Sequence, residues 1–368
     1  MVMAASVVVA VGTVTGMIKA LDDGRTAQAA RPDATGATLL VPLPDVPSVS
    51  NSPSVKASSS ARPTKSGPTA TARAPHRTAA AAPRLYRHPE SQVLDWVRAH
   101  PDDPRTEVIA SRIADRPAAV WFADFTPSTI TSRVRAVTSG AAAQDRVPVV
   151  VPYAIPDRDC GGASEGGADD FAAYDAWIDA FAAGLGSGEV VVILEPDSIA
   201  QADCLSEAQR ADRFRALARA GRVLKAADPK ARVYYDAGHS DWNPAGQQAA
   251  LLRQAGAASA ESSDGVFSNV SNFHATSAEI AYDRQVLDAL GGPAGLGAVI
   301  DTSRNGNGAP ADGQWCDPAG RRIGRAPTLD TGEARIDGYL WVKLPGESDG
   351  CRGAAGTFTA SYAYDLAR

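Results

Sequence analysis

Between residues 147 and 344, six short runs of β-branched and aromatic residues alternate with longer stretches of helical periodicity. The runs are Val147–Ile155, Glu189–Glu195, Arg232–Asp236, Val266–Val270, Ala298–Asp301 and Tyr339–Leu344. Several are apolar at consecutive positions, the pattern of a parallel strand buried on both faces rather than one with a wet side. Between them, Phe171–Leu185 repeats apolar residues at helical spacing. Ser206-Glu-Ala-Gln209 is a capping box opening a helix towards Ala227, and Gln247–Gln254 is helical again. The stretch from Asn272 to Val299 has room for one helix and a short turn. Strand–helix alternation of this length predicts an α/β fold, either a parallel β/α barrel or an open doubly wound sheet.

That alternation occupies only part of the 368 residues. All 23 Phe, Trp and Tyr residues lie after position 85. A stretch of 83 residues without an aromatic cannot bury enough surface to offset its chain entropy, so residues 1–83 are expected to hold no domain. Met1–Ile18 is uncharged and rich in Val and Ala, and Thr26–Ala30 offers the small residues a signal peptidase accepts. Residues 1–30 therefore read as a signal peptide or an N-terminal membrane anchor, although no basic segment leads the apolar run. Residues 31–83, with nine Pro, eight Ser and six Thr, read as an extended linker. One folded domain, 84–368, is expected, with no accompanying binding module.

Charge excludes some partners. The chain carries 36 Lys and Arg against 42 Asp and Glu, a net −6. The first 83 residues are net +4, which leaves −10 on the folded part. An acidic domain is a poor ligand for nucleic acid or an anionic membrane. The four cysteines, Cys160, Cys204, Cys316 and Cys351, behind an export-like leader suggest two disulfides with three possible pairings. Nearest-neighbour pairing would close loops of 44 and 35 residues. Their spacing does not suit a zinc knuckle.

Polar residues gather immediately after the runs. Asp157 and Asp159 follow the first, and Asp197 and Ser198 the second. Asp236 and His239 follow the third, Asn269 and Asn272 the fourth, and Asp301 and Arg304 the fifth. Lys343, Glu347 and Asp349 follow the last. In a β/α barrel those strand ends form the rim where chemistry is done. A single Asp after a strand is often a helix cap; six successive strands delivering charge to one rim points to a site. No Walker loop, dinucleotide fingerprint, G-x-S-x-G elbow or metal-ligand spacing of His is present, so no cofactor or metal is expected. Carboxylates accompanied by Trp121, Trp242, Trp315 and Trp341 suit sugar hydrolysis, with acid and base supplied by carboxyls and indole faces stacking on pyranose rings. Trp96 and Trp177 fall on helical patterns and read as core.

Seven segments then identify a family: Tyr153-Ala-Ile-Pro-Asp-Arg-Asp159-Cys-Gly-Gly, Leu194-Glu-Pro-Asp197-Ser, Tyr235-Asp-Ala-Gly-His-Ser, Ser268-Asn-Val-Ser-Asn272, Ile300-Asp-Thr-Ser-Arg-Asn-Gly-Asn-Gly308, Gln314-Trp-Cys-Asp-Pro and Trp341-Val-Lys-Leu-Pro-Gly-Glu-Ser-Asp-Gly350. Together, in order from about residue 86 onwards, they resemble glycoside hydrolase family 6, the cellulases that cut β-1,4-glucan with inversion. The resemblance implies a distorted seven-stranded parallel β/α barrel with its site at the C-terminal strand ends. It implies Asp197 as general acid, and Asp159 as the carboxylate that tunes the acid and organises water with Ser164. Asp349 is the implied base, a relay through Asp159 and Ser164 being the alternative. Asp236 is implied to bind sugar and tune charge, and Tyr153 to sit beneath the distorted ring. Lys343 and Glu347 are implied to hold sugar hydroxyls, and Trp121, Trp242 and Trp315 to be stacking platforms. His239, Asn269 and Asn272 complete the expected substrate contacts. Disulfides 160–204 and 316–351 would then pin loops bearing acidic site residues. A secreted monomer acting on a β-glucan, without an obligate protein partner, is the expectation. Short loops after Asp236 and around Lys343 favour endo-action; exo-action, a catalytically dead glucan binder and a cytosolic enzyme are the rivals.

Overall fold

A computed structural model describes residues 84–368; the expected leader and linker lie outside the described residues. Seven strands form one sheet: β1 Val120–Phe122, β2 Val149–Pro152, β3 Val190–Leu194, β4 Ala231–Asp236, β5 Gly265–Ser268, β6 Gly297–Asp301 and β7 Ile336–Leu340. They pair consecutively and in parallel throughout. The sheet curls into a distorted barrel that β1 and β7 do not close by strand pairing. Instead the Ala119 N–H donates to the Trp341 carbonyl at 2.9 Å, and the Trp121 indole N–H to the Val342 carbonyl at 2.7 Å.

Among the described residues eight α-helices accompany the strands: α1 Gln92–Ala99, α2 Thr106–Ile109, α3 Ile130–Ala142, α4 Phe171–Ala182, α5 Glu207–Ala227, α6 Ala245–Gln254, α7 Thr276–Leu290 and α8 Ala360–Ala367. The capping box is formed as expected. The Ser206 hydroxyl accepts the Gln209 N–H at 3.3 Å, and the Gln209 side chain accepts the Ser206 N–H at 3.1 Å.

Strand β3 shows why the runs are continuously apolar. Val191 and Ile193 join Tyr234, Phe267 and Val299 inside the barrel, whereas Val190, Val192 and Leu194 join Trp177, Phe181 and Leu217 beneath the helices. Both faces are dry, so no polar alternation is needed. Gly265 opens β5 with φ +144°, and a Cβ there would lie 1.7 Å from the Gly297 carbonyl oxygen; only glycine permits that approach of neighbouring strands. Trp177 is core as expected, and Trp341, grouped with the exposed indoles on sequence, is buried, its N–H donating to the Arg325 carbonyl at 3.0 Å.

Candidate active site

Side chains from the C-terminal ends of the strands line one cleft of about 1240 Å³. That exceeds the usual range for a small-molecule pocket and suits a polymer chain. Around it the backbone is strained. Asp157, Asp159, Cys160, Glu195, Asp197, Asn269, Ser271 and Asp317 all adopt positive φ without being glycine. Such residues concentrate where a site fixes side-chain directions at the expense of local ease.

The loop after β2 carries Tyr153, Asp159 and Ser164. Arg158 holds it, donating to the Ser164 carbonyl at 2.8 Å, to the Ala123 carbonyl at 2.6 Å and to the Tyr153 carbonyl. Its guanidinium also lies 4.6 Å over the Tyr153 ring, whose edge meets Trp121. The Asp159 carboxylate accepts the Ser164 N–H at 2.7 Å, so these two cleft residues form one unit. A disulfide from Cys160 to Cys204 ties this loop to the turn after β3.

At the end of β3 are two carboxyls with different surroundings. Glu195 is wholly buried and accepts the N–H groups of Ala154 and Ile155 at 2.9 and 3.0 Å, tying β3 to the Tyr153 segment. Burial pushes its pKa up to about 7 against those donors. Asp197, two residues on, is half-buried in the cleft floor. Burial first, then the charges of Asp236 and Asp159, raise its pKa well above the ordinary carboxyl value, with Lys343 opposing. Both influences favour the protonated form of this carboxyl.

Asp236 ends β4 and is buried. Its carboxylate accepts Ile199 N–H at 3.1 Å, Ala200 N–H at 2.8 Å and Gly238 N–H at 2.9 Å. It therefore lies under the cleft and shapes the Asp197 turn, rather than facing a sugar as the sequence suggested. Asn269 is buried too. Its amide N–H groups donate to the His274 and Asp301 carbonyls at 3.2 and 2.9 Å, and its oxygen accepts the His274 N–H at 3.0 Å. These bonds commit it to holding the rim and leave it outside the cleft lining.

What Asn269 holds is His274, which no sequence pattern singles out. Its ring stacks on His239 with centroids 4.1 Å apart and planes 15° from parallel. Burial, then His274, pushes the His239 pKa down to about 3, so that imidazole stays neutral. Trp242 leans on the same stack at 5.2 Å.

The end of β7 supplies Lys343, Glu347 and Asp349. Asp301 accepts the Lys343 N–H at 2.9 Å and fixes where that side chain starts. Burial raises the Glu347 pKa to about 7, opposed by Lys343. Asp349 is almost buried, paired with the fully buried Arg304 at 2.7 Å and with Lys343 at 3.4 Å. The Cys316–Cys351 disulfide closes this loop against the segment bearing Trp315, whose indole is 58% exposed. Both disulfides have the nearest-neighbour pairing, 160–204 and 316–351.

The cleft thus brings together Asp159, Asp197, Asp349, Tyr153, Ser164, Trp121, His239, Trp242, Asn272, Trp315, Lys343 and Glu347. It leaves out Asp236 and Asn269. Glu195, His274 and Asp317 were not selected from sequence; only the Glu195-Pro-Asp197 and Cys316-Asp317 adjacencies hinted at two of them.

A curled parallel sheet with carboxyls and indoles at one rim is the architecture of a glycoside hydrolase. The chain belongs to the glycosyl hydrolases family 6, whose family model matches residues 77–367. It is 52% identical over 291 residues to endoglucanase 1 of Streptomyces sp. (strain KSM-9), covering 79% of each chain. It is 49% identical over 284 residues to endoglucanase A of Thermobispora bispora, covering 77% of this chain and 61% of that enzyme. Its fold matches the endoglucanase Cel6 from Mycobacterium tuberculosis, solved with methyl-cellobiosyl-4-deoxy-4-thio-β-D-cellobioside, with a TM-score of 0.71 and 41% identity. That match covers 78% of this chain and 97% of the solved one.

Proposed function

We propose that this chain is a secreted endo-acting cellulase that hydrolyses β-1,4-glucosidic bonds with inversion, Asp197 being the general acid and Asp349 the base. The observation that carries the reading is the position of Asp197: at a strand end, in the cleft floor, with burial and two neighbouring carboxylates favouring its protonated form. Similarity to two endoglucanases at about half identity supports the same substrate class.

In one displacement, Asp197 gives its proton to the glycosidic oxygen as the C1–O bond breaks. A water on the opposite face of the ring attacks C1 and passes its proton to Asp349. The two carboxyls exchange protonation state, and solvent resets them. Inverting enzymes place such a pair roughly 6.5–9.5 Å apart to admit the water. Lys343, beside both Asp197 and Asp349, steadies the negative charge as it moves from one to the other. Asp159 and Ser164 order the water, Tyr153 lies below the reacting ring, and Trp121, Trp242 and Trp315 supply flat faces for neighbouring sugars. Neutral His239, stacked on His274, and Asn272 offer hydrogen bonds without adding charge.

Endo-action is supported by the short loops. Residues 237–244 lead from β4 straight into α6, and no helix or strand stands between β7 and α8 to roof the groove. Two disulfides support export to an oxidising compartment, with residues 1–30 as leader or anchor and 31–83 as linker to the catalytic domain. The test is digestion of carboxymethylcellulose. Viscosity should fall steeply for few reducing ends released. A steady release of cellobiose at nearly constant viscosity would show exo-action instead.

A further inference from the structure

Asp317 is almost buried, does not line the cleft, and spends its whole carboxylate on the loop that presents Asp349. One oxygen accepts the Asp349 N–H at 2.8 Å. The other accepts the Ser348 hydroxyl at 2.6 Å and the N–H groups of Cys351 and Arg352 at 3.0 and 2.9 Å. In return, the Asp317 N–H donates to the Asp349 carboxylate at 3.1 Å. Its backbone takes φ +45° to do this, a strained value for a residue with a side chain.

Up to Ser348 this loop is held by its backbone, the Ser348 N–H donating to the Thr357 carbonyl at 2.9 Å. Between β7 and α8 there is no regular element, so the N–H groups of residues 349, 351 and 352 find no helix or ladder partner. The neighbouring disulfide ties Cys351, and Arg304 and Lys343 pair with the Asp349 carboxylate, which Asp317 meets from its backbone side. Burial pushes the Asp317 carboxyl up, but the Ser348 hydroxyl and the three amides outweigh it and hold it below the ordinary range. The group is an anion throughout any working pH.

We propose that Asp317 is the positioning residue of the catalytic base, holding the Asp349 carboxylate in place. The inference rests on Asp349 being the base. Asp317 touches no sugar; it acts by holding the water-activating oxygen where the in-line attack requires it. A misplacement of about 1 Å at such a point costs on the order of a hundredfold in rate.

The experiment is a double-mutant cycle with Asp317→Ala, Asp349→Ala and the combined variant, read as kcat and KM on a fluorogenic cello-oligosaccharide. Asp317→Ala should lower kcat by about ten- to a hundredfold with KM within about twofold. In the Asp349→Ala background the same change should alter the residual rate by less than about twofold, because the carboxylate whose placement it controls is gone. Asp317→Asn, which keeps one acceptor oxygen, should retain more activity than the alanine variant. Losses that multiply in the combined variant, or a KM that rises as kcat falls, would overturn the inference. So would loss of the folded near-ultraviolet signature in both the Ala and Asn variants, since Asp317 would then be holding the fold itself. Near wild-type turnover in Asp349→Ala alone would overturn the base assignment, a failure distinguishable because it involves no change at 317.

Discussion

Asp197 and Asp236, at the ends of adjacent strands, lie close enough for the charge of Asp236 to raise the Asp197 pKa. Burial pushes both upward. Asp236 has three backbone amides that favour its charged form, and no hydrogen-bond donor of that kind reaches the Asp197 carboxyl. The difference favours the charge on the member under the cleft and the proton on the member that faces it.

Neutralising Asp236 should therefore move the alkaline limb of the activity profile. In Asp236→Asn the like charge that raises Asp197 is gone, the acid loses its proton at lower pH, and the limb of kcat/KM shifts down by about a unit. An alkaline limb that stays in place would show that Asp236 does not set the acidity of Asp197.

Glu195 makes a stability prediction with a definite sign. Its folded pKa of about 7 lies above the ordinary 4.5, so the native state keeps this proton after the unfolded chain has released it. The favourable term is complete below the unfolded value, declines as pH rises between the two, and is lost above the folded one. Over that window it amounts to about 3 kcal/mol. In Glu195→Gln the site no longer titrates. The stability gap between wild type and variant should shrink by about that amount from roughly pH 4 to pH 8 in urea unfolding. A gap constant across that range would contradict the shifted pKa.

Trp315 should matter to binding and not to folding, because more than half of it is exposed. Trp315→Ala should raise KM for soluble cello-oligosaccharides by about two- to tenfold, with little change in melting temperature. A large drop in stability with unchanged KM would make it a packing residue.

The Cys316–Cys351 bridge closes a 35-residue separation. Replacing both cysteines by serine should cost about 4 kcal/mol by the loop-entropy relation. Activity should fall at temperatures below the unfolding transition, because the Asp349 loop is loosened first. Loss of stability with full activity retained below the transition would separate the bridge from the site.

Much of this fold was legible because burial on both faces leaves its mark on β2 to β6 as unbroken Val, Ile and Tyr. Strand β1, Val120–Phe122, does not stand out in the sequence because a run of three residues is too short, although all three favour strands. Strand β7 runs Ile336–Leu340, earlier than the expected Tyr339–Leu344. The apolar pattern continues through Trp341 and Val342 because both side chains are buried where the chain closes the seam against Ala119 and Trp121. In the site, chain position told which polar residues reach the rim but not their depth. Asp236 and Asn269 sit one layer down, where backbone amides and carbonyls claim them. Asp317 and His274 act through three-dimensional neighbours distant in sequence, which no local pattern reveals.

The most direct test of the account is Asp197→Ala, assayed on glucan polymer and on an aryl cellobioside with a good leaving group. Loss of the general acid should remove nearly all polymer hydrolysis, whose leaving sugar must be protonated, while the activated substrate keeps a much larger share of its rate. The folded signature should be unchanged. Polymer hydrolysis at near wild-type rate in that variant would contradict the assignment of Asp197.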